Sequence, residues 1–148
     1  VPGINSILCP VDFSERSLAA LDTAFDLSEE FSSNLYVLHV IKDFARDAAA
    51  VHAGVGFGID AFKDQLHADA LEWIGSLIES RTPVRTGVLA VVAHGDPALE
   101  IKTECEKRGV DLVVMSSSGH SMLGRLVLGS VTERLLGISG CPVMVIPS

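Results

Sequence analysis

Five short apolar runs alternate with helix-periodic segments along this chain, and that alternation restricts the possible folds more than any other feature. INSILCPV (4–11), NLYVLHVI (34–41), VRTGVLAVV (84–92), DLVVMS (111–116) and PVMVIP (142–147) have the length of strands. SERSLAALDTAFDLSEEFS (14–32) carries apolar residues at helical spacing, with Ser14 as its N-cap. FKDQLHADALEWIGSLIES (62–80) places Leu66, Ala70, Trp73 and Leu77 on one helical face. Asp96-Pro97 opens a third helix that runs to about Arg108 and stops at Gly109, and a fourth fits from Val131 to about Leu136. KDFARDAAAVHAGVGFGI (42–59) reads as a long loop. Strands that are apolar on both faces and alternate with helices predict an α/β fold, a parallel sheet covered on two sides. At 148 residues, with no repeat, linker or low-complexity segment, one domain over 1–148 is expected. Ligands of such sheets sit beyond the carboxyl ends of the strands, where strand order reverses. Two strand ends carry suitable chemistry: Pro10-Val11-Asp12 after the first, and a glycine loop after the fourth.

Composition removes several classes of partner. No apolar run approaches the roughly 20 residues that span a bilayer. VPGINSILCP has no basic region ahead of an apolar stretch, so no signal peptide is expected. Cys9, Cys105 and Cys141 lie far apart without CxxC spacing, which predicts reduced thiols in a cytoplasm rather than a disulfide framework or a zinc site. A net charge of −8 argues against nucleic acid and anionic membrane as partners. Any anion must therefore be held by local backbone dipoles.

The loop SSSGHSMLGRLVLGSVTE (116–133) is built for that task. Ser130 and Glu133 have capping-box spacing and predict a helix start at about Val131. First-turn amides and the helix dipole favour an anion there. Gly119 and Gly129 lack Cβ, so the backbone can approach a phosphate closely and adopt positive φ. The hydroxyls of Ser116, Ser118, Ser130 and Thr132 can donate to phosphate oxygens. On the residues alone two readings stand, a phosphate cradle or an ordinary capped helix, and the Glu133 carboxylate works against the first. Other phosphate and hydrolase signatures fail: GxxxxGK[ST] and GxSxG are absent, and GVGFG (54–58) has the wrong spacing and context for a dinucleotide fingerprint. His39, His52, His67, His94 and His120 show no metal-ligand spacing, and His39 reads as a core or rim histidine.

Taken together, ILCPVDFSERSLAAL, LYVLHVI, GDPALEI, DLVVMSSSGHSMLGRLVLGSVTERLL and CPVMVIP resemble the universal stress protein domain over nearly the whole chain. That family's nucleotide pattern is G-x-x-G, nine residues, then G-[ST]. It falls here on Ser116, Gly119, Gly129 and Ser130, with 120–128 as the nine. Ser116 stands where the pattern has its first glycine, and His120 replaces an often basic residue, so weaker binding is expected. The resemblance implies a five-stranded parallel sheet in order 3-2-1-4-5 with ATP at the junction of strands 1 and 4. It implies that Pro10 and Val11 wall the base, Asp12 accepts from ribose or adenine, and the Val40 backbone reads the adenine edge. Met115 and Ser116 would flank the ribose. Gly119, His120, Gly129, Ser130, Val131 and Thr132 would hold the triphosphate, with Mg²⁺ or Mn²⁺ bridging its oxygens. No catalytic base is visible, so signalling by a bound nucleotide, with at most slow hydrolysis, is expected. A homodimer through the fifth strand (Pro142–Pro147) is also implied, with client proteins unnamed. The alternative is a dimerising scaffold without nucleotide.

Overall fold

The computed structural model describes residues 3–42, 56–82, 87–117 and 127–147. In chain order they form β1 (Ser6–Pro10), α1 (Glu15–Glu30), β2 (Asn34–Ile41), α2 (Gly56–Arg81), β3 (Val88–His94), α3 (Pro97–Arg108), β4 (Leu112–Ser116), α4 (Ser130–Ile138) and β5 (Val143–Ile146). All strand pairs are parallel, and the sheet order is β3-β2-β1-β4-β5. The expected order and class are both observed.

The period-two alternation of each strand divides its apolar residues between two faces. Ile7, Cys9, Leu35, Val37, Leu112 and Val114 face α1 and α2, where Leu21, Ala24, Phe25 and Ile74 complete one core. Leu8, Leu38, Val91, Val113 and Met115 face the other way, against Ile101 and Cys105 of α3 and Leu135 of α4. This two-sided burial is why the strands read as continuous apolar runs. The three cysteines are free thiols, and burial, then the neighbouring Cys141, pushes the Cys105 thiol up to about 12.

Local signals set most boundaries. Ser14 caps α1 by accepting from the Ser17 amide, and Asp96 caps α3 by accepting from Leu99 N–H at 3.2 Å, with Pro97 in the first turn. Gly109 ends α3 at φ 61, a left-handed conformation open to glycine. Two expectations fail. The 42–59 loop expectation fails at its end, because α2 already starts at Gly56 and takes in the last three residues of GVGFG, while 43–55 lie outside the described residues. The Ser130/Glu133 capping box does not form either. Gly129 is the N-cap, Ser130 is the first helical residue, and no side chain caps the helix. A one-residue earlier start moves Ser130 out of the geometry that a capping serine needs.

Asp96 also accepts from Arg134 of α4 at 2.6 Å, joining the two helices on one face. That hydrogen bond from Arg134, followed by the Leu99 amide, holds the Asp96 carboxyl below its ordinary 3.8. Asp96→Ala is expected to cost about 1 kcal/mol in denaturant melts at neutral pH. Because the folded value is depressed, the ionic share of that difference is present above pH 3.8 and shrinks as pH falls below it. Melts at pH 7 and pH 3 compare the two.

Candidate functional site

Strand order reverses between β1 and β4, and a cavity of 650 Å³ opens beyond the carboxyl ends of β1, β2 and β4. Its floor is Pro10 and Val11 after β1, Leu38 to Ile41 of β2, and Met115 and Ser116 of β4. Leu66, Asp69 and Ala70 of α2 form one wall, Pro97 and Ile101 of α3 another. Gly129, Ser130 and Val131 at the start of α4 complete it.

The β1 end is fixed by a dense hydrogen-bond set. Val11 N–H donates to the Leu38 carbonyl at 2.8 Å, extending strand pairing past Pro10, and His39 Nδ1 meets the Val11 carbonyl at 2.8 Å. Ser17 Oγ donates to the Asp12 carbonyl at 2.7 Å. The Asp12 carboxylate accepts from the Ser14 amide at 2.9 Å and also from the Ser14 hydroxyl. Burial raises the Asp12 carboxyl, but the Ser14 and Ser17 hydrogen bonds and the nearby His39 outweigh it, leaving the group below the ordinary carboxylate range. Asp12 is thus an anion in the wall, serving both as the turn into α1 and as an acceptor at the cavity.

At the β4 end, the start of α4 reaches the same cavity. Ser117 N–H donates to the Ile146 carbonyl at 3.0 Å, and Gly129 N–H donates to the Ser117 carbonyl at 2.6 Å, which ties both ends of the loop together. Thr132 Oγ1 donates to the Ser116 carbonyl at 3.0 Å and pins the first turn of α4 to the strand end. Gly129 supplies no capping side chain, so among the described residues no side chain caps the start of α4, where Ser130 and Val131 line the cavity.

The structure brings Pro10, Val11, Asp12, Val40, Met115, Ser116, Gly129, Ser130 and Val131 around one cavity. Ser118, Gly119 and His120 lie outside the described residues. The Thr132 hydroxyl is not a cavity donor: its side chain is 0% exposed and committed to Ser116. Gly129 sits at φ −68, so the expected positive φ is not observed there.

Several lining residues escaped sequence reasoning. Phe13 is 68% exposed, yet its ring lies 4.3 Å from Trp73 and 4.8 Å from His39, making an aromatic cluster at the cavity. The proximity of Phe13 to Asp12 was the available signal. Lys42 is the one Lys or Arg among the described lining residues, and its place immediately after β2 could have marked it. Asp69 and Leu66 enter only because α2 crosses the cavity, which no local pattern announces.

Comparison with known proteins agrees with this architecture. The family model described as the universal stress protein family matches residues 3–147. The universal stress protein YxiE of Bacillus subtilis is 29% identical over 96% of this chain and 98% of its own length. The universal stress protein MJ0577 of Methanocaldococcus jannaschii is 30% identical over 96% of this chain and 94% of its own. The solved MJ0577 structure superposes with a TM-score of 0.79, covering 98% of this chain and 96% of that one. A universal stress protein from Archaeoglobus fulgidus, solved in complex with dAMP, shares the fold at a TM-score of 0.63 and 18% identity, over 97% of each chain. With the match running almost end to end, this chain belongs to the universal stress protein family.

Proposed function

We propose that the cavity binds an adenine nucleotide, ATP with Mg²⁺ or Mn²⁺, and that the bound nucleotide makes this chain a signalling module in a stress response. The observation that carries this reading is the uncapped start of α4, facing the same cavity as Asp12. Open first-turn amides at a positive helix end suit phosphate, while an ionised carboxylate suits ribose hydroxyls or an adenine amino group. The two lie in one wall-lined space of 650 Å³, a normal size for a small-molecule site. An adenine nucleotide is also the first ligand class to test because the A. fulgidus relative was solved with dAMP.

In this reading Pro10 and Val11 flank the base, the Val40 backbone reads its edge, and Met115 and Ser116 face the ribose. Ser118, Gly119 and His120 approach the phosphates with Gly129, Ser130 and Val131, while Thr132 contributes only its amide. Lys42, a lining residue just beyond β2, adds a cation. The metal fits as a passenger on the phosphates: among the described residues no group of three or more His, Cys, Asp or Glu could hold one. Phosphate oxygens and water would supply its ligands.

Mg-ATP at a hundredfold over its Kd should raise the melting temperature by about 5 °C or more. Asp12→Ala should weaken binding tenfold or more. Gly129→Leu should abolish the shift while the ligand-free melt stays within a few degrees. No shift with any adenine nucleotide at millimolar concentration would remove this reading.

The scaffold alternative has one feature in its favour. β5 is an edge strand whose residues Val143 to Ile146 are all apolar, with Met144 37% exposed, and Leu136 of α4 is exposed as well. Pairing of Pro142–Pro147 with a second copy would cover that edge, and a homodimer is compatible with either function. Light scattering at micromolar concentration should give twice the chain mass, and Met144→Arg should shift the population toward monomer.

A further inference from the structure

The apolar seam between α2 and the sheet ends in two histidines. Ala70 and Ile74 of α2 are buried, and Ala90 and Val92 of β3 pack on the core that contains Ile74. One turn before Ala70 stands His67. Two residues beyond Val92, on the same strand face, stands His94. His67 Nδ1 lies 3.0 Å from His94 Nε2, with ring planes 6° apart and ring centroids at 5.2 Å. The nitrogens are much closer than the ring centres, so the rings meet edge to edge. A hydrogen bond of this kind needs one nitrogen protonated and the other bare. One lone pair is thus already aimed at the neighbouring ring, and moving a single proton to a remote nitrogen bares both.

We propose that His67 and His94 form a two-histidine site for a borderline divalent transition-metal ion of the Zn²⁺ type. Imidazole is a preferred ligand for such ions. Bonds of about 2.0–2.1 Å, at angles from 90° to tetrahedral, separate two nitrogens on one ion by about 2.8–3.4 Å. The observed 3.0 Å falls within that interval. Each ring must swing roughly 35–45° off the nitrogen–nitrogen line to address the ion. The exposed His94 and half-buried His67 have room to do so. The backbone needs no such movement. β3 is paired with β2 as far as His94 opposite Ile41, and Gly95 N–H donates to the Ile41 carbonyl at 2.9 Å. On α2 the buried Ala70 and Ile74 hold the helix against the sheet. Among the described residues no third His, Cys, Asp or Glu completes a cluster, so water fills the remaining positions. The proton between the rings passes through solvent to the remote nitrogen of its own ring, so a neutral pair takes the ion with no net proton release. No electron transfer is involved. The 27-residue separation of the two histidines hides the pair from motif spacing.

The test uses the full chain without a histidine tag, stripped by chelator and titrated with ZnCl₂. Calorimetry should give one ion per chain. A hundredfold excess over Kd should raise the melting temperature by about 5 °C. His67→Gln and His94→Gln should each weaken binding tenfold or more with metal-free melts unchanged, and His52→Gln should not. In the unaltered protein the imidazole ¹⁵N resonances of His67 and His94 should shift together on zinc addition. Absence of saturable binding, binding that survives in either variant, or zinc uptake that leaves both imidazoles unshifted would each overturn the site.

Discussion

The parallel pairing of β1 with both β2 and β4 is the constraint on which the rest of this molecule depends. Chain connections leave β1 on one side toward β2 and return on the other side at β4, so the crossovers diverge at the strand ends. Nothing in the sheet fills the space between them. The cavity is a consequence of topology before it is a consequence of any side chain, and the strand-end residues inherit their positions from it.

What occupies the rim then decides its chemistry. At β1 the turn into α1 needs a capping network, and Asp12, Ser14 and Ser17 supply it with hydroxyls and amides turned inward. At β4 the Ser117 to Gly129 hydrogen bond closes the loop, and the Thr132 hydroxyl fastens α4 onto the Ser116 carbonyl. The first turn of α4 is held by that hydroxyl, while its N-cap, Gly129, offers no capping side chain. A serine cap would have consumed an amide internally, whereas a glycine leaves it facing outward.

Legibility in the sequence followed the range of the forces involved. β2 was readable to the residue, because both flanks change character sharply where burial ends. The caps at Ser14 and Asp96 and the stop at Gly109 were readable because each is a contact within a few residues. The start of α2 was not: Gly56 to Gly58 carry poor helix formers, and tertiary packing overrides propensity there. The capping box was misplaced by one residue, because the helix starts at Ser130 and takes Gly129 as its N-cap. At the cavity, Asp12 and Gly129 were found from local pattern. Phe13, Lys42 and Asp69 were missed because only long-range packing brings them to one place. The histidine contact between α2 and β3 was invisible for the same reason.

Trp73 is the only tryptophan in the chain, and it stacks against the exposed Phe13 and lies 5.9 Å from His39. The indole is therefore a built-in optical probe seated beside the cavity mouth. Its emission colour and quenching depend on how that aromatic cluster is hydrated, so any change of hydration there can be followed in unlabelled protein, in real time, with no chemistry done to the chain.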